Sequence, residues 1–229
     1  MLSKMLMQTQ FDSAGLSGLA SLAHPIQRVG HCRLEVHGLR GIRTRTVNFI
    51  VREGGKARVA VDLARLAEPD ETPTEQVLMP NGMLNLSANS EQERCFVLLY
   101  HGHGSDPVWD SRVLELGDHY ACLPIRPGRY LISNGLTNTR ASVQVNYPDP
   151  RVIARGERLA SEPVHLNVEQ RITPGELRID PGQLLVFAIL IKAHVTIMLE
   201  EPDDGPADLP EWRAARSREA LEAVFGRRR

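Results

Sequence analysis

Apolar and polar residues alternate along most of this chain with a period of two, not at helical spacing. In "HCRLEVHGL", Cys32, Leu34 and Val36 share one face and Arg33, Glu35 and His37 the other, which predicts a half-buried strand. The same alternation marks "RTVNFIV" at 45–51, "KARVAVDLARL" at 56–66, "QVLMPNGMLNL" at 76–86, "RCFVLLY" at 94–100 and "SRVLEL" at 111–116. It continues through "HYACLPI", "RYLISN", "ASVQV", "VIARG", "VHLNV", "GELRI", "LLVFAILI" and "HVTIML". Pro, Gly, Asn and Asp separate these runs, and "PNG" at 80–82 reads as a compact turn because Asn and Gly tolerate positive φ. Many short strands at this spacing predict an all-β fold, an antiparallel β-sandwich.

The pattern changes near the C-terminal end. Pro- and acid-rich stretches at 66–75, 146–151 and 200–210 read as connections. After the last of them, "PEWRAARSREALEAVFGRRR" sets Pro210 at a helix's first turn, strong helix formers behind it and Gly226 as a stop. This predicts an amphipathic helix over 208–229, with Trp212, Ala215, Leu221, Val224 and Phe225 on one broad face. So short a helix is marginal alone, so its apolar face needs a surface to dock on, either the protein's own core or another chain. Trp212, Leu221 and Phe225 are therefore the candidate partner-binding residues. The expected organisation is an N-terminal segment 1–27, a β-sandwich 28–146, a second β-rich segment 152–201 and the helix 208–229.

Composition narrows the function classes. At 229 residues and 42% hydrophobic content, the chain can bury a core without staples. Lys+Arg at 27 against Asp+Glu at 28 leaves a net charge of −1, so nothing draws the whole chain to nucleic acid or an anionic membrane. Three arginines at the chain end read as a solvated tail. Gln8, Gln10, Asp12 and Ser13 interrupt the apolar stretch a signal peptide needs, and the longest apolar run, at 184–191, is only strand-sized. Cys32, Cys95 and Cys122 are odd in number, widely spaced and outside any Cys-x-x-Cys pair, as expected of buried thiols in a reducing compartment. A cytoplasmic protein is expected.

A resemblance follows from residues 109–145, "WDSRVLELGDHYACLPIRPGRYLISNGLTNTRASVQV". The order of Trp109, Asp110 and Ser111, then Gly117, then Pro127, Gly128 and Tyr130, then alternating valines resembles the second half of the cupredoxins, the plastocyanin-like copper proteins. A shorter stretch, "ITPGELRIDPGQLLVFAI" at 172–189, looks like a cupredoxin's opening strands. The resemblance implies a copper cysteine four residues after the tyrosine, a histidine three later and a methionine three after that. In this chain those places hold Asn134, Thr137 and Arg140. An amide, a hydroxyl and a guanidinium do not replace a thiolate, an imidazole and a thioether, so the expectation is a cupredoxin-like scaffold without copper or other cofactor.

Histidines offer the rival chemistry. His101 and His103 in "YHGHGSDP" share a face on an extended strand, and His119 follows in "GDHYA", a set that could hold a transition metal. Gly102 and Gly104 argue instead for a loop with solvent-facing rings. His24, His37, His165 and His194 read as structural, and Asp110 is the one carboxylate expected in a cleft. The chain has no nucleophile elbow, phosphate loop or zincin motif. Two readings result: a non-catalytic assembly or protein-binding subunit, as a homo-oligomer or with a protein partner, or a metal protein built on His101, His103 and His119. A small-molecule-binding sandwich is the third class.

Overall fold

The computed structural model describes residues 8–38, 44–63, 76–88, 94–147 and 162–203. These residues are all-β, without a helix, and form fifteen strands. In the first half they are β1 (Gln10–Asp12), β2 (Ala20–Ile26), β3 (Gly30–Gly38), β4 (Thr44–Asp62), β5 (Gln76–Ser87), β6 (Cys95–His101) and β7 (Trp109–Asp110). The second half contributes β8 (His119–Cys122), β9 (Gly128–Asn134), β10 (Thr139–Val145), β11 (Val164–Val168), β12 (Ile172–Thr173), β13 (Glu176–Ile179), β14 (Leu185–Ile189) and β15 (Val195–Pro202). The helix expected over 208–229, with Trp212, Leu221 and Phe225, lies outside the described residues.

The strands form two sheets, one ordered β1-β15-β9-β10-β13 and the other β12-β11-β14-β8-β2-β5-β4-β3-β6-β7. Alternation sets which side chains face inward. Cys32, Leu34 and Val36 are buried on β3, Tyr130 and Ile132 on β9, and Leu185, Phe187 and Ile189 on β14, all within one continuous apolar core. The sheets are mixed, which corrects the antiparallel expectation. β4 and β5, β10 and β13, and β11 and β14 pair in parallel, and from β10 to β15 the chain alternates between the sheets, a coiled, solenoid-like course in place of the expected antiparallel sandwich.

Three local expectations change as well. "PNG" at 80–82 is not a hairpin turn. Asn81 has φ of 61°, but it sits inside β5, where β4 and β5 bulge together: Leu78 is the partner of both Val51 and Lys56, and pairing resumes at Arg58 with Met83. Residues 111–116 do not form a strand. Val113 and Leu116 are exposed there, and Leu114 alone bridges to Ala193. Two strands that alternation did not mark, β1 and β2, tie residues 10–26 into the sheets, where β1 flanks β15 and β2 lies between β5 and β8.

The longer sheet curls. β2 and β7 are five steps apart in its order, roughly 24 Å at the usual strand spacing if the sheet were flat. Yet the rings of His24 on β2 and Trp109 on β7 stack with centroids 4.1 Å apart. Only a sheet bent around its own core brings them together.

Candidate functional site

At the closure, Asp118 is fully buried and surrounded by donors. One carboxylate oxygen lies 2.6 Å from His24 Nδ1, and the other accepts hydrogen bonds from Trp109 Nε1 at 3.1 Å and the Glu115 backbone N–H at 2.8 Å. Such a carboxylate could orient a histidine for catalysis. Here its contacts join β2, β7 and the turn before β8, which is the work of a clamp.

The positions matching copper ligands lie in one β-hairpin turn but differ in burial. Asn134, at the end of β9, is fully buried; its Oδ1 accepts from the backbone N–H groups of Leu136 and His194, each at 3.1 Å. One amide oxygen thus caps the β9–β10 turn and ties it to the approach to β15, a task that needs an acceptor and no metal. Its Nδ2 has no partner. Beside it, His194 Nε2 lies 2.8 Å from Asp12 Oδ1, and Ser13 Oγ accepts from the Val195 N–H at 3.0 Å. Thr137 and Arg140 are exposed.

His101 closes β6 with Nε2 3.0 Å from the Val29 carbonyl, His103 is exposed in the following turn, and His119 is exposed on β8, opposite Ala23 and Ala188. Among the described residues no group of three or more His, Cys, Asp or Glu side chains is placed to hold a metal ion. Cys32, Cys95 and Cys122 are buried with no disulfide among them, and burial pushes the Cys32 thiol up to about 11. That leaves little thiolate for ligation or nucleophilic attack at neutral pH.

What the described surface does assemble is a ladder of aromatic rings and charges on the outer face of β3, β6 and β7. Register sets Arg33 opposite Tyr100, His37 opposite Phe96, and Leu98 between Glu35 and Asp110. The Arg33 guanidinium lies over the Tyr100 ring at 4.4 Å, with Nε 3.3 Å from Glu35 Oε1. Glu35 Oε2 lies 3.4 Å from His37 Nε2, and His37 stacks on Phe96 at 4.9 Å. Arg112 covers Phe96 at 4.5 Å and grips Asp110 through Nε at 3.0 Å and Nη2 at 2.6 Å. Burial, then Glu35, pushes the Tyr100 hydroxyl above its ordinary value. Burial opposes ionisation of Asp110 too, but its hydrogen bonds to Arg112 and that cation's charge outweigh it and hold the carboxyl below its ordinary value.

The sequence pointed to Asp110 but joined it with the His-Gly-His loop; the structure joins it with Arg112. Arg33, Glu35 and His37 were legible as one solvent face. Their aromatic partners on β6 were not, because strand pairing decides them. Compared with protein-family models, with curated proteins and with solved structures, the chain matches none.

Proposed function

We propose that this protein is a metal-free, non-catalytic assembly or binding subunit that meets a protein partner, a second copy of itself included, through the face built by Arg33, Tyr100, Phe96 and Arg112. The observation that carries this reading is the preorganisation of both guanidiniums. Each lies over a ring beside a carboxylate, Arg112 hydrogen-bonded to Asp110 and Arg33 at ion-pair distance from Glu35, while its side chain stays 39% exposed at Arg33 and 50% at Arg112. Arginine and aromatic side chains held this way lose little freedom on binding, and these residue types dominate protein interfaces.

A cupredoxin-like origin of residues 109–145, without copper, belongs to the same proposal. Its support is that residues 109–145 put β8 in one sheet and the β9–β10 hairpin in the other. A cytoplasmic setting suits three buried thiols. No helix among the described residues is long and apolar enough to cross a membrane.

Light scattering on the size-exclusion eluate of the full chain tests the binding role. A mass above the monomer, or a stoichiometric copurifying protein, is expected, and the double variant Arg33→Glu, Arg112→Glu should lose it. A strict monomer with no companion would sink the reading.

A further inference from the structure

A second surface, on the shorter sheet, has a different chemistry. An open groove of about 660 Å³ is lined by Arg129 from β9, Ser142 and Gln144 from β10, and Glu176, Leu177 and Arg178 from β13. Register arranges its polar residues in two rows. Gln144 pairs with both Arg129 and Arg178, which gives a row of guanidinium, amide and guanidinium. Two residues along, Ser142 pairs with Leu131 and Glu176.

Among the described residues, neither cation of the groove has an ion-pair partner. Arg129 makes no ion pair with Glu201, its cross-strand neighbour on β15, and Arg178 makes none with Glu176 on its own strand. Opposite charges directly across a strand pair ordinarily attract, so Arg129's place in the groove lining, on the side away from Glu201, marks where its charge is directed. The guanidiniums sit on strands two steps apart, about 10 Å at the usual spacing, with a hydrogen-bonding amide between them. A carboxylate fits between such donors.

Row spacing selects the form of the ligand. Side chains two apart on a strand are about 7 Å apart, the same interval that separates alternate side chains of an extended peptide. We propose that this groove binds an extended acidic peptide, with one Asp or Glu carboxylate between Arg129 and Arg178 and a hydroxyl- or amine-bearing residue two positions away donating to Glu176. This site is separate from the β3–β6–β7 face and does not depend on its role.

Fluorescence anisotropy with a labelled Val-Glu-Val-Thr-Val peptide tests the proposal. Binding to the full chain should weaken as salt rises, and should fall at least tenfold in Arg129→Gln, in Arg178→Gln and with the Val-Gln-Val-Thr-Val peptide. Both arginines are exposed, so unchanged circular dichroism is expected for these variants. The Arg33→Glu, Arg112→Glu variant should bind as the parent does, which keeps failure of this site distinct from failure of the other. Equal affinity for the Glu and Gln peptides, or for parent and groove variants, overturns the proposal. Displacement by an equal concentration of glutarate overturns the peptide assignment in favour of small carboxylates.

Discussion

Two fully buried polar residues, Asp118 where the longer sheet closes and Asn134 at the turn end of the shorter one, meet burial in opposite ways. Asp118 offers only acceptors, and its neighbours, His24, Trp109 and the Glu115 N–H, supply donors to both of its oxygens. Asn134 offers an acceptor and two donors; its oxygen takes two N–H groups and its Nδ2 finds none. An acceptor-only group suits a pocket furnished only with donors, whereas an amide brings protons that the same kind of pocket cannot use. The clamp is also the more distant link, since Asp118 and His24 are 94 positions apart.

This difference can be broken most forcefully at Asp118. Asp118→Ala leaves Trp109 Nε1, the Glu115 N–H and His24 without their acceptor and should cost about 3–5 kcal/mol, lowering the melting temperature by roughly 10 °C or more in a calorimetric scan. Asn134→Ala removes a similar acceptor but also its own unsatisfied donor, so about 1–2 kcal/mol is expected from denaturant unfolding. A cost equal to that of Asp118→Ala would erase the contrast. Trp109→Phe keeps a ring against His24 and deletes one N–H, isolating a single clamp bond at about 1 kcal/mol.

The smallest effect belongs to the surface ladder. Because the Asp110 carboxyl is held below its ordinary 3.8, its contribution is complete above that value and disappears as pH falls through the lower folded value. The pair is partly exposed, so the contribution stays under about 1 kcal/mol. Asp110→Asn should lower stability above that ordinary value by this small amount, leave the most acid points unchanged, and so flatten the acid limb of a stability profile.

Alternation made the strands of the core legible, since Cys32, Leu34 and Val36 or Tyr130 and Ile132 needed only a period of two to declare their inward faces. Sheet order was not legible. Parallel pairing of β10 with β13 depends on a crossing to the other sheet that leaves no periodic mark, and the bulge at Asn81 carries the same Asn-Gly letters as a hairpin turn. β2 escaped notice because Pro25 and His24 break its apolar pattern, and that same His24 is the ring that closes the sheet. Asn134 stood out only as the residue at the place of the resemblance's copper cysteine; its task as a double acceptor appears only once His194 arrives from sixty positions away. The ladder residues were visible one strand at a time, and only the pairing of β3 with β6 turned them into a surface.

The division of labour between a structural clamp and a binding face is tested most directly by native mass and thermal midpoint recorded on the same samples. Arg33→Glu, Arg112→Glu should reduce the light-scattering mass to that of one chain while the midpoint stays within a few degrees of the parent. A mass left unchanged by those two substitutions, with the midpoint also unmoved, would contradict the role assigned to that face.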